Sequence, residues 1–158
     1  QIKLLRRFTS NIVLLYDGDE AGQHAALRGT DMLLSEGMNV KVLLLPDGKD
    51  PDELARNLTA EDFRKYIEEN QTDFIVFKIN VLLRGITDPV KRSEAINSIV
   101  QSIAVIKDPI LRDTYLRECV HQTGMKENTL IVQMNRFIYQ DKETSPARLA
   151  QQFYSAAF

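Results

Sequence analysis

Asp17-Gly18-Asp19 sets two carboxylates two positions apart, directly after the apolar run Asn11-Ile12-Val13-Leu14-Leu15-Tyr16. Carboxylates so spaced, held at the end of a buried strand, offer hard oxygen ligands to a cation that takes octahedral oxygen coordination and keeps several waters. That description fits magnesium or manganese. Gly18 lets the backbone turn sharply and lets a metal or phosphate approach closely. Standing alone, the motif is equally a plain Asp-Gly turn. A second cluster, Leu45-Pro46-Asp47-Gly48-Lys49-Asp50-Pro51-Asp52-Glu53, closes the next apolar run. Asp17, Asp19, Glu20, Asp47, Asp50, Asp52 and Glu53 then have only Lys49 as a cation within the two motifs. Like charges crowded together repel unless a cation neutralises them, so a divalent-metal site accounts for both motifs at once. The competing reading makes Asp47-Gly48 a turn and gives Asp52 or Glu53 to a helix amino end. Ions held by carboxylates activate a hydroxyl nucleophile and stabilise a leaving oxygen in phosphoryl transfer. Polymerisation, strand cleavage and phosphate hydrolysis all remain open on this ground.

The elements that must position these acids are legible nearby. Asn11 to Tyr16 has the pattern of a strand buried on both faces, as in a parallel sheet. Glu20 to Glu36 reads as one helix whose apolar side is Ala21, Ala25, Leu27, Met32 and Leu33, stopped by Gly37 as a left-handed cap. Asn39 to Leu45 is the next buried strand. A strand, helix and strand of these lengths form a right-handed crossover, which sets both strand ends on one edge of a sheet. Asp17 and Asp50 can therefore come close. Beyond Asp52 the strand signals stop, and short helices near Glu53 to Asn57 and Ala60 to Asn70 lead into a region that reads as helical to the end.

The architecture changes at about residue 72, giving an α/β unit over 1–71 and an all-α bundle over 72–158. Asp88-Pro89 and Asp108-Pro109 each put a capping acid before a proline at the first helical position, where the missing N–H is not needed. Ile96, Ile99, Val100, Ile103 and Ile106 give the first of these helices a face to bury; Leu116, Cys119 and Val120 do so for the second. Gly124 closes the second helix. Leu130, Ile131, Met134, Phe137 and Ile138 mark a third, and the set reads as an antiparallel bundle. Ser145-Pro146 starts a last helix, and Ile2, Leu4, Leu5 and Phe8 mark one at the beginning.

With 158 residues, 44% hydrophobic and 27% charged, the chain is ordinary globular material. No stretch approaches the roughly 20 apolar residues of a spanning helix, and no secretory signal opens the chain, so a cytoplasmic location is expected. Cys119 has no partner for an internal disulfide and reads as a packed helix residue. With His24 and His121 far apart, it offers no zinc-ligand spacing. A net charge of −2 neither establishes nor excludes a nucleic-acid partner. Arg6, Arg7, Arg28 and Lys41 could touch phosphate, although solvated surface charge explains them as well. The start at Gln1, without methionine, suggests an internal piece of a longer protein.

Tyr16-Asp17-Gly18-Asp19-Glu20-Ala21-Gly22 followed by Leu45-Pro46-Asp47-Gly48-Lys49-Asp50-Pro51-Asp52-Glu53-Leu54 resembles the Toprim domain of bacterial DnaG-type primases. The first motif would also suit other Toprim proteins such as topoisomerases or nucleases; the second points to primase. Asp108-Pro109-Ile110-Leu111-Arg112-Asp113-Thr114-Tyr115-Leu116 resembles the segment that follows Toprim in those enzymes, so the likeness covers roughly residues 1 to 140. The resemblance implies a DNA-dependent RNA polymerase making short RNA primers from nucleoside triphosphates on single-stranded DNA. It implies Asp17, Asp19 and Asp50 as catalytic metal ligands for Mg2+ or Mn2+, with Asp52 supporting them. It also implies the replicative helicase and single-strand-binding protein as partners, through regions mostly lying elsewhere, and a place in the cytoplasmic replisome. The family's catalytic glutamate, on a preceding strand, has no match here, which implies that this piece does not prime by itself. A haloacid-dehalogenase phosphatase would need Thr or Val where Ala21 stands. The non-catalytic alternative is a helical docking scaffold whose acids form a solvated edge.

Overall fold

The computed structural model describes residues 10–27, 30–45 and 51–144, without the side chains at 17, 51, 54, 55 and 141–144. The helices expected around Ile2 to Phe8 and from Ser145 lie outside the described residues. Strand β1 (Asn11–Asp17) leads to α1 (Glu20–Ala26), α2 (Thr30–Ser35) and β2 (Asn39–Leu45). Helices α3 (Pro51–Asn57) and α4 (Ala60–Asn70) follow, then β3 (Thr72–Asp73). The rest is helical: α5 (Phe74–Leu83), α6 (Pro89–Ala104), α7 (Pro109–Thr123) and α8 (Glu127–Thr144). The α/β start and helical remainder match the sequence reading. No helix among the described residues is long and apolar enough to cross a membrane.

The sheet runs β1-β2-β3. β1 and β2 are parallel, in register from Asn11 opposite Asn39 to Asp17 opposite Leu45. β3 is antiparallel to β2, with Thr72 opposite Val42 and Asp73 opposite Lys41. The strands thus do not stop after Asp52. β3 has two polar residues joined to the sheet through backbone alone, too short to show an alternating pattern.

Two further expectations change. The helix from Glu20 to Glu36 is in fact two, because α1 ends at Leu27, whose N–H reaches the His24 carbonyl at 3.2 Å in a tightened final turn. Its buried stripe is Ala26, Thr30 and Leu34, whereas Met32 and Ala21 are exposed. Thr30 sits inside because its hydroxyl donates to the Ala26 carbonyl at 3.1 Å. A buried polar group that keeps a hydrogen bond is tolerated, and polarity alone conceals Thr30 from the apolar pattern. Nor is β1 buried on both faces: Ile12, Leu14 and Tyr16 pack inward, while Val13 is 38% and Leu15 36% exposed. Among the described residues, β1 has a neighbouring strand on one side only.

Gly37 closes α2 as expected, with φ at 83°. Its N–H reaches the Leu34 carbonyl at 3.1 Å, and that of Met38 reaches Leu33 at 3.2 Å. This paired closure of a helix end requires a left-handed residue, and it turns buried Met38 back over the helix.

One hydrophobic cluster joins the two layers, running from Ala26, Leu34, Met38, Val40 and Val42 through Phe74 and Ile75 to Leu130 and Met134. α5 is apolar nearly all round and lies at its centre, as a helix enclosed by neighbours must. Asp88 and Asp108 cap α6 and α7 ahead of their prolines, and Gly124, at φ 71°, ends α7. Arg92, near the start of α6, donates to the Thr123 carbonyl at the end of α7 at 3.1 Å, so these helices run antiparallel. Ile96, Ile99, Val100, Ile103, Ile106, Leu116 and Cys119 are all buried, as their spacing requires.

Asp73 ties the layers at a second point. It caps α5 by accepting from the Ile75 and Val76 N–H groups at 2.9 and 3.3 Å, and it accepts the Tyr115 hydroxyl of α7. Burial, then the hydrogen bond to Asp73 and its charge, push the Tyr115 phenol upward; burial alone pushes the Cys119 thiol to about 11. Both groups keep their proton longer folded than unfolded, so their contribution is full at neutral pH and disappears on the alkaline side. We expect stability to fall as pH rises from 9 towards 11 through Cys119, and further as Tyr115 ionises in the unfolded chain. Thermal melts from pH 8 upward check this. In Cys119→Ala the loss should begin later, and an unchanged profile in that variant refutes the assignment.

Candidate metal centre

Parallel pairing through Asp17 and Leu45 brings the carboxyl ends of β1 and β2 to one sheet edge. The two acidic motifs leave the sheet from that edge. Asp17 is the last residue of β1, though its side chain is outside the described set. Asp47, Lys49 and Asp50 also lie outside the described residues, as do Arg6, Arg7 and Arg28.

Asp19 is described fully. Its extended backbone (φ −75°, ψ 172°) makes it the N-cap of α1, and its Oδ1 accepts the Gly22 N–H at 2.7 Å. The metal-ligand pattern in the sequence does not disclose this local role, although Asp before a short helix is a strong capping signal. The cap uses one carboxylate oxygen, and an ionised carboxylate has about four lone-pair directions. Capping and cation binding are therefore compatible. The Gly18 carbonyl accepts from Gln23 Nε2 at 3.3 Å, which fastens the turn between the acids to α1. Glu20 is exposed and lies 3.8 Å from His24 one turn on, a surface pair worth little.

Asp52 and Glu53 occupy the first turn of α3 and are exposed. Negative charge is favoured there whether or not a cation is present. The Asp52 carbonyl accepts from Arg56 Nε at 3.2 Å. Among the described residues, no group of three or more His, Cys, Asp or Glu side chains converges as a ligand set. The expected ligand set includes the Asp17 and Asp50 carboxylates, which lie outside the described residues. Lys41 is exposed on β2, opposite Val13.

A polar cluster away from the strand ends is not apparent from the sequence pattern. Lys78, 5% exposed on α5, donates to Ser102 Oγ of α6 at 2.6 Å, and Ser102 donates to Asp31 Oδ1 of α2 at 2.6 Å. Burial lowers the Lys78 ammonium, partly offset by the charge of Asp31. The one signal for it is a lone lysine in the apolar run Phe74-Ile75-Val76-Phe77-Lys78-Ile79.

Residues 1–55 match a protein-family model described as Toprim-like, and residues 75–128 match one described as the DnaB-helicase binding domain of primase. A DNA primase from Clostridium acetobutylicum is 38% identical over 133 residues, which cover 82% of this chain and 22% of that protein. One from Enterococcus faecalis is 27% identical over 157 residues, covering 98% of this chain and 25% of its relative. Among solved structures, a DnaG catalytic core superposes with a TM-score of 0.69 at 30% identity, over 82% of this chain and 43% of that one. A DnaG primase catalytic domain bound to single-stranded DNA gives 0.68 at 28% identity, over 81% and 42%. The chain thus spans about a fifth to a quarter of the curated relatives it matches.

Proposed function

We propose that this chain, which belongs with the bacterial DnaG-type primases, carries the later part of a Toprim catalytic region over 1–71 and the helical region that follows over 72–158. In the parent protein it serves a DNA-dependent RNA polymerase that makes short RNA primers on single-stranded DNA in the cytoplasmic replisome. The observation that carries the reading is the parallel register that ends β1 and β2 side by side at Asp17 and Leu45, where both acidic motifs begin. Asp17, Asp19 and Asp50 are the catalytic ligands of a magnesium or manganese ion, and Asp52 supports them.

The donor set suits such an ion. All four are carboxylates, Asp19 and Asp52 are exposed, and the Gly22 N–H holds the Asp19 side chain in place before any cation arrives. When bound, the ion activates the attacking hydroxyl and stabilises the leaving oxygen. The chain's own contribution is preorganisation: the sheet fixes where Asp17 leaves β1, and the cap fixes Asp19 two residues later. Template DNA, nucleoside triphosphates, the replicative helicase and single-strand-binding protein are the partners of the parent enzyme.

Metal titration tests the site directly. Magnesium or manganese should bind weakly to the wild-type chain, as followed by calorimetry or by manganese resonance, and binding should disappear in Asp17→Ala and in Asp19→Asn. Unchanged binding in both variants would remove these residues from the site.

A further inference from the structure

α1 is lightly held along its length. Of its seven residues only Ala26, at the carboxyl end, is buried, so little apolar contact fixes how it lies on β1 and β2. α2 is similar, with Thr30 and Leu34 as its buried residues. Helices this short are marginal by themselves, and what fixes them must come from their neighbours.

Polar contacts fix α1 at both ends. At its amino end it is bonded twice to the turn between the acids: the Gly22 N–H donates to Asp19 Oδ1 at 2.7 Å, and Gln23 Nε2 donates to the Gly18 carbonyl at 3.3 Å. At its carboxyl end the Thr30 hydroxyl donates to the Ala26 carbonyl at 3.1 Å and ties α2 to α1. The next residue, Asp31, accepts the Ser102 hydroxyl of α6 at 2.6 Å, and Ser102 accepts from Lys78 of α5 at 2.6 Å. A chain of directional bonds therefore runs from the helical region, through the joint of α1 and α2, towards the Asp19 carboxylate. Ser102 is fully buried, and its one hydroxyl proton is committed to Asp31 while its lone pairs receive Lys78.

We infer that Ser102 and Asp31 are positioning residues for the metal centre: across the contact between α2 and α6 they fix α1, and through α1 they fix Asp19. Neither touches the ion. The inference rests on reading the acidic edge as a metal centre. α1 is about 10 Å long, so a tilt of about 6° around its far end carries the cap by about 1 Å. That exceeds the roughly 0.2 Å within which metal–ligand distances are held. Outer groups that orient ligands are worth about 10- to 100-fold in metal affinity.

The test is manganese titration of the 158-residue chain, followed by manganese resonance and set beside the urea midpoint of each variant. Ser102→Ala should weaken manganese binding about tenfold. Thr30→Val keeps the side-chain shape and cuts the tie between α2 and α1. It should weaken binding in the same way, and it carries the test if Ser102→Ala does not fold. Asp31→Asn should bind manganese as wild type does, because the asparagine Oδ1 still accepts the Ser102 hydroxyl. It should nonetheless be the less stable protein, since the charge opposite Lys78 is gone. A merely structural contact would make manganese affinity follow the urea midpoints, with Asp31→Asn binding most weakly, and that ordering overturns the inference. Affinity unchanged in both Ser102→Ala and Thr30→Val overturns it too, while leaving the metal centre in place. A wild-type chain that binds no manganese removes the centre itself, and the inference falls with it.

Discussion

Asp19→Asn in the full-length parent should lower primer synthesis on single-stranded DNA by at least about 100- to 1,000-fold, the scale for removing one group that stabilises charge in a transition state, while leaving stability unchanged. Asparagine is chosen because Asp19 has two separable tasks. Its Oδ1 caps α1 through the Gly22 N–H at 2.7 Å, and asparagine caps as well as aspartate does. What the substitution removes is the negative charge that a divalent ion requires. Asp19→Ala removes both and should add about 1 kcal/mol of destabilisation from the lost cap. Primer yield at saturating magnesium, set beside the urea midpoint of each variant, separates the tasks. If Asp19→Asn retains synthesis and Asp19→Ala loses activity only in proportion to its stability, Asp19 is a capping residue and the catalytic assignment fails.

Asp31→Ala should destabilise the chain by about 3 kcal/mol, because removing one member of a buried charged set leaves the other uncompensated. Lys78 is nearly enclosed, and Ser102 connects it to Asp31 through two bonds of 2.6 Å. Without Asp31 the ammonium keeps a hydroxyl but loses the opposite charge. Lys78→Met should be close to neutral, since Asp31 is only half-buried and can hydrate, and the double variant should recover most of the loss. Urea denaturation of the four proteins closes this cycle.

The pH dependence gives an independent check on the same pair. Burial lowers Lys78 from 10.5, so the unfolded chain binds its proton more readily than the folded one. Stability then rises with pH through the lowered value. Losing Asp31 lowers it further, so Asp31→Ala should regain part of its lost stability as pH rises from the lowered value towards 10.5, most cleanly seen in a Cys119→Ala background. A loss under about 1 kcal/mol, flat with pH, would show that Lys78 does not depend on Asp31.

How much can be read from the sequence depends on how local the physics is. The Asp88-Pro89 and Asp108-Pro109 starts, the Gly37 and Gly124 stops, and the limits of β2 are set within a few residues, and each appears where the sequence places it. The isoleucine face of α6 is legible for the same reason. Thr30 and Lys78 are not, because whether a polar side chain can be buried depends on partners elsewhere in the fold; Ser102 is 24 residues from Lys78 and 71 from Asp31. β3 is invisible because its pairing belongs to β2. At the strand ends, type and spacing lead one to expect carboxylates at one edge, and the parallel register of β1 and β2 brings the strand ends together there. They do not reveal that Asp19 also holds its own helix.

β1 offers Val13 and Leu15 on one face and, among the described residues, has a neighbouring strand on one side only. Such a strand behaves as a seam, since exposed edges template further pairing and apolar faces seek cover. The isolated chain is therefore expected to self-associate as its concentration rises, with β1 as the contact, which light scattering over a dilution series checks. Charge or proline placed on that margin would keep the material dispersed without touching the core.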